Sequence, residues 1–583
     1  MVADTLAKTA LSRFYQHSVN KSNWEIFREK GYTRIAYIGT SLSNLAKLVD
    51  EEATFCCTQN TSLHLPFPSV RPTLPWKPTT TMPSIEWYSS SFVDDMSALP
   101  SHEVRDDLVD SFFTKIHPGF PIVDESEFRS QYNDPGNPPP LLLLQAVLLA
   151  GAHVSQHPNI VCHRARVKQV IFRRAKALFD LHYENDRMYV VQAALLFMWY
   201  VEGADDICSN VYYWTGIACR VAYGLGMHRD LAPELPILMP VADPKIYRRI
   251  WWTLFQVETL SSLHHGRPSM IDLDEVDQSP LQIADFIEQD GRLNQNINID
   301  YCIQNAELCN IIIGIIKLSS PGAVRRYSAT PELFQASQGD INQKLVSWYL
   351  SLPANLGGPT DSSQPTAFWA LQLRLHYNLA LLHLHRLPEK SFPRVDLVQG
   401  QISNDICQTA ATAISKLFAD LLTMQGIPEC WFTALTSLLA TAIQNSHEAR
   451  ISAQNRAPVL AIQVQNHLES IFPAIQAVLA YWSNAEAILH LYKDLLVQLK
   501  KQAQTWANPQ PTCSGQTESN QTEENVPQHD DPNAMANGDE IMSLGSAGAF
   551  DADWQALFGA GSPYQFPDIK LANMDEWLCP NAT

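Results

Sequence analysis

The most reaction-like pattern in the chain is Asp106-Asp107-Leu108-Val109-Asp110. Three carboxylates at that spacing match the D-D-x-x-D motif with which all-helical terpene synthases hold magnesium diphosphate. Such a site needs the carboxylates to converge on an apolar cavity. On a helical wheel starting from Val104, the apolar residues Val104, Leu108, Val109, Phe112, Phe113 and Ile116 cover about 0–180°. Asp106, Asp107 and Asp110 fall at about 200–300°, on the other side. The accompanying Asn-Asp metal string does not follow either, since Asn404-Asp405 runs on into Ile-Cys-Gln. The reading is therefore a solvated acidic face, with an all-helical magnesium-dependent enzyme as the alternative.

Other candidate ligands divide the same way. His153 and His157 are four apart with His163 beyond, but Pro158 breaks the helix that would align them. His376, His383 and His385 lie in a heavily apolar run, and His264-His265 precede a Gly-Arg-Pro turn. All read as core or helix-end histidines. The eleven cysteines contain no Cys-x2-Cys pair, so zinc-finger spacing is absent and reduced, buried thiols are expected. The basic cluster Arg164, Arg166, Lys168, Arg173, Arg174 and Lys176 is spread around its helix rather than gathered into a DNA-reading stripe. Its stems are expected to snorkel around a packed helix. Nucleophile elbow, phosphate loop and Gly-x-Gly-x-x-Gly signatures do not occur. No catalytic, metal or cofactor site is assigned.

The elements that position these residues are helical. Behind Ser101 as N-cap, Val104, Leu108, Phe112 and Ile116 recur every four residues. Ile246, Ile250, Leu254, Val257 and Leu260 keep that spacing, with Gly266 as the glycine that ends the helix and Pro268 as the stop. The stretch 367–387 is read as a buried helix from its length and its Ala/Leu content. The fold class is all-α. Four regions follow: an N-terminal segment 1–57, a proline-rich connector 58–100, a helical body 101–503 and a polar tail 504–583. The longest apolar stretch, Leu141–Val154, falls short of the ~20 residues a membrane span needs, and no membrane contact is expected.

Charge separates body from tail. Sixty acidic residues oppose 41 basic ones, for a net −19, which disfavours a chain that itself wraps nucleic acid. From residue 502 onward, Lys570 alone opposes twelve acidic side chains, so −11 of that charge is local. Two apolar clusters sit within it. Phe550, Trp554, Leu557 and Phe558 recur at helical spacing beside Asp551 and Asp553, and Trp577 and Leu578 follow Asp575 and Glu576. Acidic residues keep such aromatics soluble until they dock on a partner as a short helix. Coactivator binding is the expected use, and docking on the protein's own body the alternative.

Three stretches carry a family resemblance: VKQVIFRRAKALFDLHYENDRMYVVQAALLFMWYV, YYWTGIACRVAYGLGMHRDL and RRIWWTLFQVETLSSLHHGRPSMIDLDEVDQSPL. They resemble the fungal-specific transcription factor domain, the all-helical middle homology region of fungal zinc-cluster regulators. The motifs are Gly226-Met-His228-Arg229-Asp230, Arg-Arg-Ile-Trp251-Trp252 and Gly266-Arg267-Pro268. LVDSFFTKIHPGFPIVDESEFRSQY is similar to the domain's usual start, and TRIAYIGTSLSNLAKLV resembles a segment of cutinase transcription factor-like members. Members normally begin with a six-cysteine, two-zinc cluster that this chain lacks, so zinc is expected only if an upstream exon supplies one. The resemblance implies a nuclear, non-enzymatic regulator of secondary-metabolite or catabolic genes. Expected partners are coactivators, a DNA-bound regulator and a small-molecule effector, with no direct DNA contact by this chain. A cytosolic helical scaffold is the remaining alternative.

Overall fold

The chain's long Leu/Ala-rich stretches fold into helices that bury one stripe each, and shorter Gly/Pro breaks turn them back on one another. The computed structural model describes residues 33–37, 64–68, 95–184, 186–201, 210–230, 244–327, 330–358, 367–386 and 397–507. Fifteen helices are named here. The first six are α1 (His102–Ser111), α2 (Glu125–Tyr132), α3 (Leu141–Val154), α4 (Arg164–Asp180), α5 (Arg187–Phe197) and α6 (Val211–Leu225). Then come α7 (Pro244–His265), α8 (Ile299–Leu318), α9 (Pro321–Tyr327), α10 (Pro331–Leu350) and α11 (Ala367–His385). The last four are α12 (Leu397–Thr423), α13 (Thr433–Gln454), α14 (Pro458–Leu479) and α15 (Ala485–Ala507).

Packing follows the order of the chain. α3 lies against α1, α4 and α5, and α5–α6–α7–α8 run on as successive neighbours. α8 meets α10 and α11, and α11 to α15 close the far end, with α13 and α7 in contact across the middle. The all-α expectation holds, with one addition. Strands Thr33–Tyr37 (β1) and His64–Pro68 (β2) form an antiparallel ribbon in which Ile35 pairs with Pro66. Prolines fit there because both strands are edges, where a missing N–H leaves no ladder bond broken.

The predicted helix over 101–117 departs from a uniform wheel. Val104, Leu108, Phe112 and Ile116 are all buried as expected. Ser101 stands at the N-cap, but its side chain makes no capping bond; its carbonyl accepts from Arg105 N–H at 2.8 Å. From Phe112 to Ile116 the helix widens to a π turn, followed by a 3-10 turn over His117–Gly119. α3 presses against α1 so closely that a Cβ on Gly151 would strike the Leu108 carbonyl.

The helix ending at His265 is as the spacing foretold. Gly266 adopts φ +59, and N–H groups of Gly266 and Arg267 bond to the carbonyls of Leu263 and Ser262 at 3.3 and 3.0 Å. That is a Schellman cap, and glycine suits it because a Cβ is penalised at positive φ. α11 is a buried helix, also as expected. α8, rather than Leu141–Val154, proves the most span-like segment by length and apolarity, and it is a core helix. Its Asn305 is fully buried and bonds to Gln256 and His376 at 2.6 and 2.8 Å.

The basic cluster on α4 corrects the snorkelling expectation. Arg164, Lys168 and Arg174 are buried, while Arg166 and Arg173 are exposed. Arg174 pairs with Asp95 at 2.7 Å, tying residues ahead of α1 to the body. Among the described cysteines only Cys162 is exposed; Cys219, Cys302, Cys309, Cys407 and Cys430 are buried free thiols.

Candidate functional site

Two of the three sequence motifs, residues 226–230 and 248–252, come together near the start of α7, while Gly266-Arg267-Pro268 follows the other end of that helix. Gly226 ends α6 at φ 70, and Met227 N–H returns to the Ala222 carbonyl at 3.0 Å. This sharp reversal aims residues 227–230 at α7. His228 is buried between the rings of Tyr223 (4.7 Å) and Trp251 (5.9 Å). Its carbonyl accepts the N–H groups of Asp277 and Gln278 at 3.2 and 3.0 Å. Arg229 pairs with Asp277 at 2.8 Å. Asp230 takes Arg248 at 3.1 Å and the hydroxyl of Ser279.

Arg248 is the hub. One turn into α7, it reaches Asp285 at 2.6 Å as well as Asp230, joining the 226–230 turn to the 277–287 segment. Burial works against its charge, but Asp285 and Asp230 outweigh burial and hold its pKa above the ordinary guanidinium value. Trp252 donates its indole N–H to the Ser279 carbonyl at 2.7 Å, and Trp251 is fully buried.

A second knot lies one residue on. Arg249 is buried and donates to the Val123 carbonyl at 3.1 Å, with Glu288 at 3.8 Å. The Glu288 carboxylate caps α2, accepting from Glu125 N–H (3.1 Å) and Ser126 N–H (2.8 Å). Asn294 bridges Glu288 and Glu125 at 2.8 and 2.9 Å. Burial raises the Glu288 pKa. Burial also pushes Glu125 upward, yet hydrogen bonds from Asn294 and Arg129 win and leave it below the usual carboxylate range. His117, whose Nε2 meets the Val123 carbonyl at 2.8 Å, is lowered to about 4 by burial and by Arg249.

This constellation is a clamp. It locks the domain's opening turn, the α6–α7 reversal and the loop after α7 onto one helix. Residues 109–348 match the family model described as the fungal specific transcription factor domain. The chain carries a fungal specific transcription factor domain. The acetamidase regulatory protein of Aspergillus fumigatus is 36% identical over 405 residues, 69% of this chain and 49% of that protein. Its counterpart in Emericella nidulans is 35% identical over 405 residues, covering 69% and 48%. Cutinase transcription factor 1 alpha of Fusarium vanettenii is 30% identical over 410 residues, covering 68% and 43%. The chain thus spans about half the length of the curated relatives it matches. No solved structure matches it.

Within this fungal transcription factor domain the remaining motif, Gly266-Arg267-Pro268, is a capped exit. Arg267 lies over the Tyr212 ring at 4.9 Å, and the Tyr212 hydroxyl donates to the Pro268 carbonyl at 3.4 Å. Just behind it, buried Glu258 accepts from Ser262 (2.9 Å), Ser269 (2.7 Å) and Met270 N–H (2.7 Å). Burial raises that carboxyl's pKa, with the three donors opposing it.

The aspartates of the D-D-x-x-D string do not converge. Asp106 accepts from the Tyr132 hydroxyl at 2.5 Å and faces His102 at 2.7 Å. Asp107 accepts from Ser155 at 2.5 Å, and Asp110 pairs with Arg129 at 2.8 Å. The face is open to solvent, with the Asp106 and Asp110 side chains 40% and 62% exposed, and each carboxylate also holds its own protein partner. Those partners sit on two different helices and a loop, so the three oxygens share no focus for magnesium. Asn404 bonds instead to Glu448 at 3.2 Å, and Asp405 accepts from Gln401 at 2.7 Å. Among the described residues no group of three His, Cys, Asp or Glu is placed to hold a metal ion.

His376 belongs to a buried polar chain. Its Nδ1 meets Asn305 Oδ1 at 2.8 Å and its Nε2 meets Thr433 Oγ1 at 2.9 Å, linking α8, α11 and α13. Burial lowers its pKa to about 3. The tail residues Phe550, Asp551, Asp553, Trp554, Leu557, Phe558, Trp577 and Leu578 lie outside the described residues.

Sequence reasoning found the clamp's motif half and missed its other half. Asp277, Ser279, Asp285, Glu288 and Asn294 stand in segments without periodicity. The available signal was compositional: buried arginines in an apolar helix require carboxylates somewhere, and the acidic 272–288 stretch is the nearest supply.

Proposed function

We propose that this chain is a nuclear fungal transcription regulator, its helical body being the regulatory domain and its acidic tail the coactivator contact. The observation that carries the reading is the match of residues 109–348 to the fungal specific transcription factor domain. Relatives named for acetamidase and cutinase regulation favour catabolic genes over secondary metabolism as targets. The clamp supports a scaffolding role for the family motifs, because their charged groups are spent on one another.

In this reading Phe550, Trp554, Leu557 and Phe558 form one stripe of a short helix that docks in a coactivator groove, flanked by Asp551 and Asp553. Trp577 and Leu578 give a second, weaker anchor. DNA is reached through a DNA-bound regulator or a zinc cluster encoded upstream of Met1. A 5′ transcript map that finds an in-frame Cys-x2-Cys-x6-Cys string selects the second route. The deciding experiment fuses residues 504–583 to a heterologous DNA-binding domain. Reporter activation is expected, and Trp554→Ala with Phe558→Ala should weaken it. A silent wild-type tail would end the activation claim.

A further inference from the structure

The far end of the body carries an apolar patch with basic flanks. On the first two turns of α14, Val459 is 68% exposed and Ile462 is 57% exposed. Arg450, in the last turns of α13, and Arg456, in the turn before α14, are exposed on one side. Lys500 and Lys501 are exposed on α15, about two turns further along α14 than Ile462. Lys500 is paired to Glu469, so the basic edge of the patch itself is Arg450 and Arg456. Arg456 is held at φ 48 by a helix-ending turn in which Ala457 N–H bonds to the Ser452 carbonyl at 2.9 Å.

The chain's own path selects an occupant. α14 and α15 are antiparallel neighbours of 22 and 23 residues, with Lys500 opposite Glu469 at 3.9 Å. That register brings the first turn of α14 level with the end of α15 at Ala507. The −11 acidic tail therefore departs beside the patch. A random-coil chain as long as residues 508–549, on the order of 40 residues, would have an r.m.s. reach of about 35 Å, ample to return there. In a helix over 550–558, Asp551 and Asp553 flank the Phe550/Trp554/Leu557/Phe558 stripe on its two sides. An apolar stripe with acidic edges complements an apolar patch with basic edges, and the positive N-terminal end of α14 adds to the match.

We propose that residues 550–558 dock on the Val459/Ile462 face of α14 in the same molecule, so that the coactivator-binding stripe is covered until a partner competes for it. The covering role rests on the activation reading above; the contact itself rests on the tail's chemistry alone. A tether of this length gives an effective concentration on the order of 1 mM, so a site of about 0.1 mM intrinsic Kd would be filled roughly nine-tenths of the time.

Hydrogen exchange of the full chain tests this. Amides of 550–558 should exchange about tenfold more slowly than the sequence allows. Val459→Asp with Ile462→Asp, both surface changes, should abolish that protection while leaving the circular dichroism spectrum and melting unchanged. Trp554→Ala with Phe558→Ala should reciprocally speed exchange at 459–463. Unprotected 550–558 amides in the wild type would overturn the proposal. So would protection that survives the aspartates, or that grows with protein concentration as docking on a second copy requires. The tail-fusion reporter lacks α14, so its failure would count against activation and not against this contact.

Discussion

Lys168 is the most exposed to experiment of the buried charges. The residue is 5% exposed, and its ammonium meets His153 Nδ1 at 2.8 Å and the Tyr481 carbonyl at 3.4 Å, and lies 5.7 Å from the Trp482 ring. Its charged neighbour is Arg164, which stacks over Tyr481 at 4.4 Å and donates to the Ser155 carbonyl at 2.5 Å. No carboxylate pairs with either among the described residues. Burial, and then Arg164, push the Lys168 pKa from 10.5 down to about 7. The sign follows from proton counting. Below pH 7 lysine is protonated folded and unfolded, and the fold bears the whole cost of a buried charge. Between about 7 and 10.5 the unfolded chain holds a proton that the fold does not, so stability rises with pH by up to ~1.4 kcal/mol per unit. From pH 7 to pH 9 that amounts to roughly 2–3 kcal/mol. Lys168→Met substitutes an unbranched apolar side chain of similar length and removes the charge. Urea unfolding should find it more stable than wild type at pH 6.5, with the advantage shrinking by that amount at pH 9. Cysteines and tyrosines that titrate in this window act in both proteins and cancel in the difference. A pH-independent difference, or a variant less stable than wild type at pH 6.5, would refute the argument.

Three further outcomes are expected. Arg248→Met strands Asp285 in the interior and should cost about 3 kcal/mol in urea unfolding, whereas Asp230→Asn, at the exposed end of the same bridge, should cost under about 1 kcal/mol. Gly151→Ala should destabilise by at least ~2 kcal/mol, because its methyl meets the Leu108 backbone; Gly224→Ala, with open space around it on α6, should stabilise by about 0.5–1 kcal/mol. Acid should unfold the protein steeply: burial lowers His264 and His376 to about 3 and His117, His383 and His385 to about 4. Each is neutral in the fold at pH 5 and protonated when unfolded, so stability is lost as pH falls from 6.5 and proton uptake on unfolding at pH 5 should approach one per histidine.

Regular helices were legible because their information is local. The four-residue spacing from Ile246 to Leu260 and the glycine at 266 each follow from which side chain faces the core or which φ a turn needs, and both are as the spacing implied. The wheel over 104–116 placed the core residues correctly but assumed 3.6 residues per turn throughout. The π turn at Phe112–Ile116 breaks that assumption, and it lies where α3 crowds the helix. The clamp was half legible for a different reason. Arg249 contacts positions near 123 and 288, and a pairing over those separations leaves no periodic trace along the chain.

The same contrast bears on what the family motifs mean. A motif met in sequence invites assignment to a ligand, yet here Arg229, Asp230 and Arg248 are paired with Asp277, Ser279 and Asp285. A charge so engaged contributes little to an external partner, because binding it would first have to break a desolvated ion pair. Regulatory contacts are better sought where polar or apolar groups are exposed and unmatched. The body offers that at Val459 and Ile462, and the acidic tail offers its complement. On the proposed reading, the motifs specify which structure the domain adopts, and the segments with no family signature would decide what it touches.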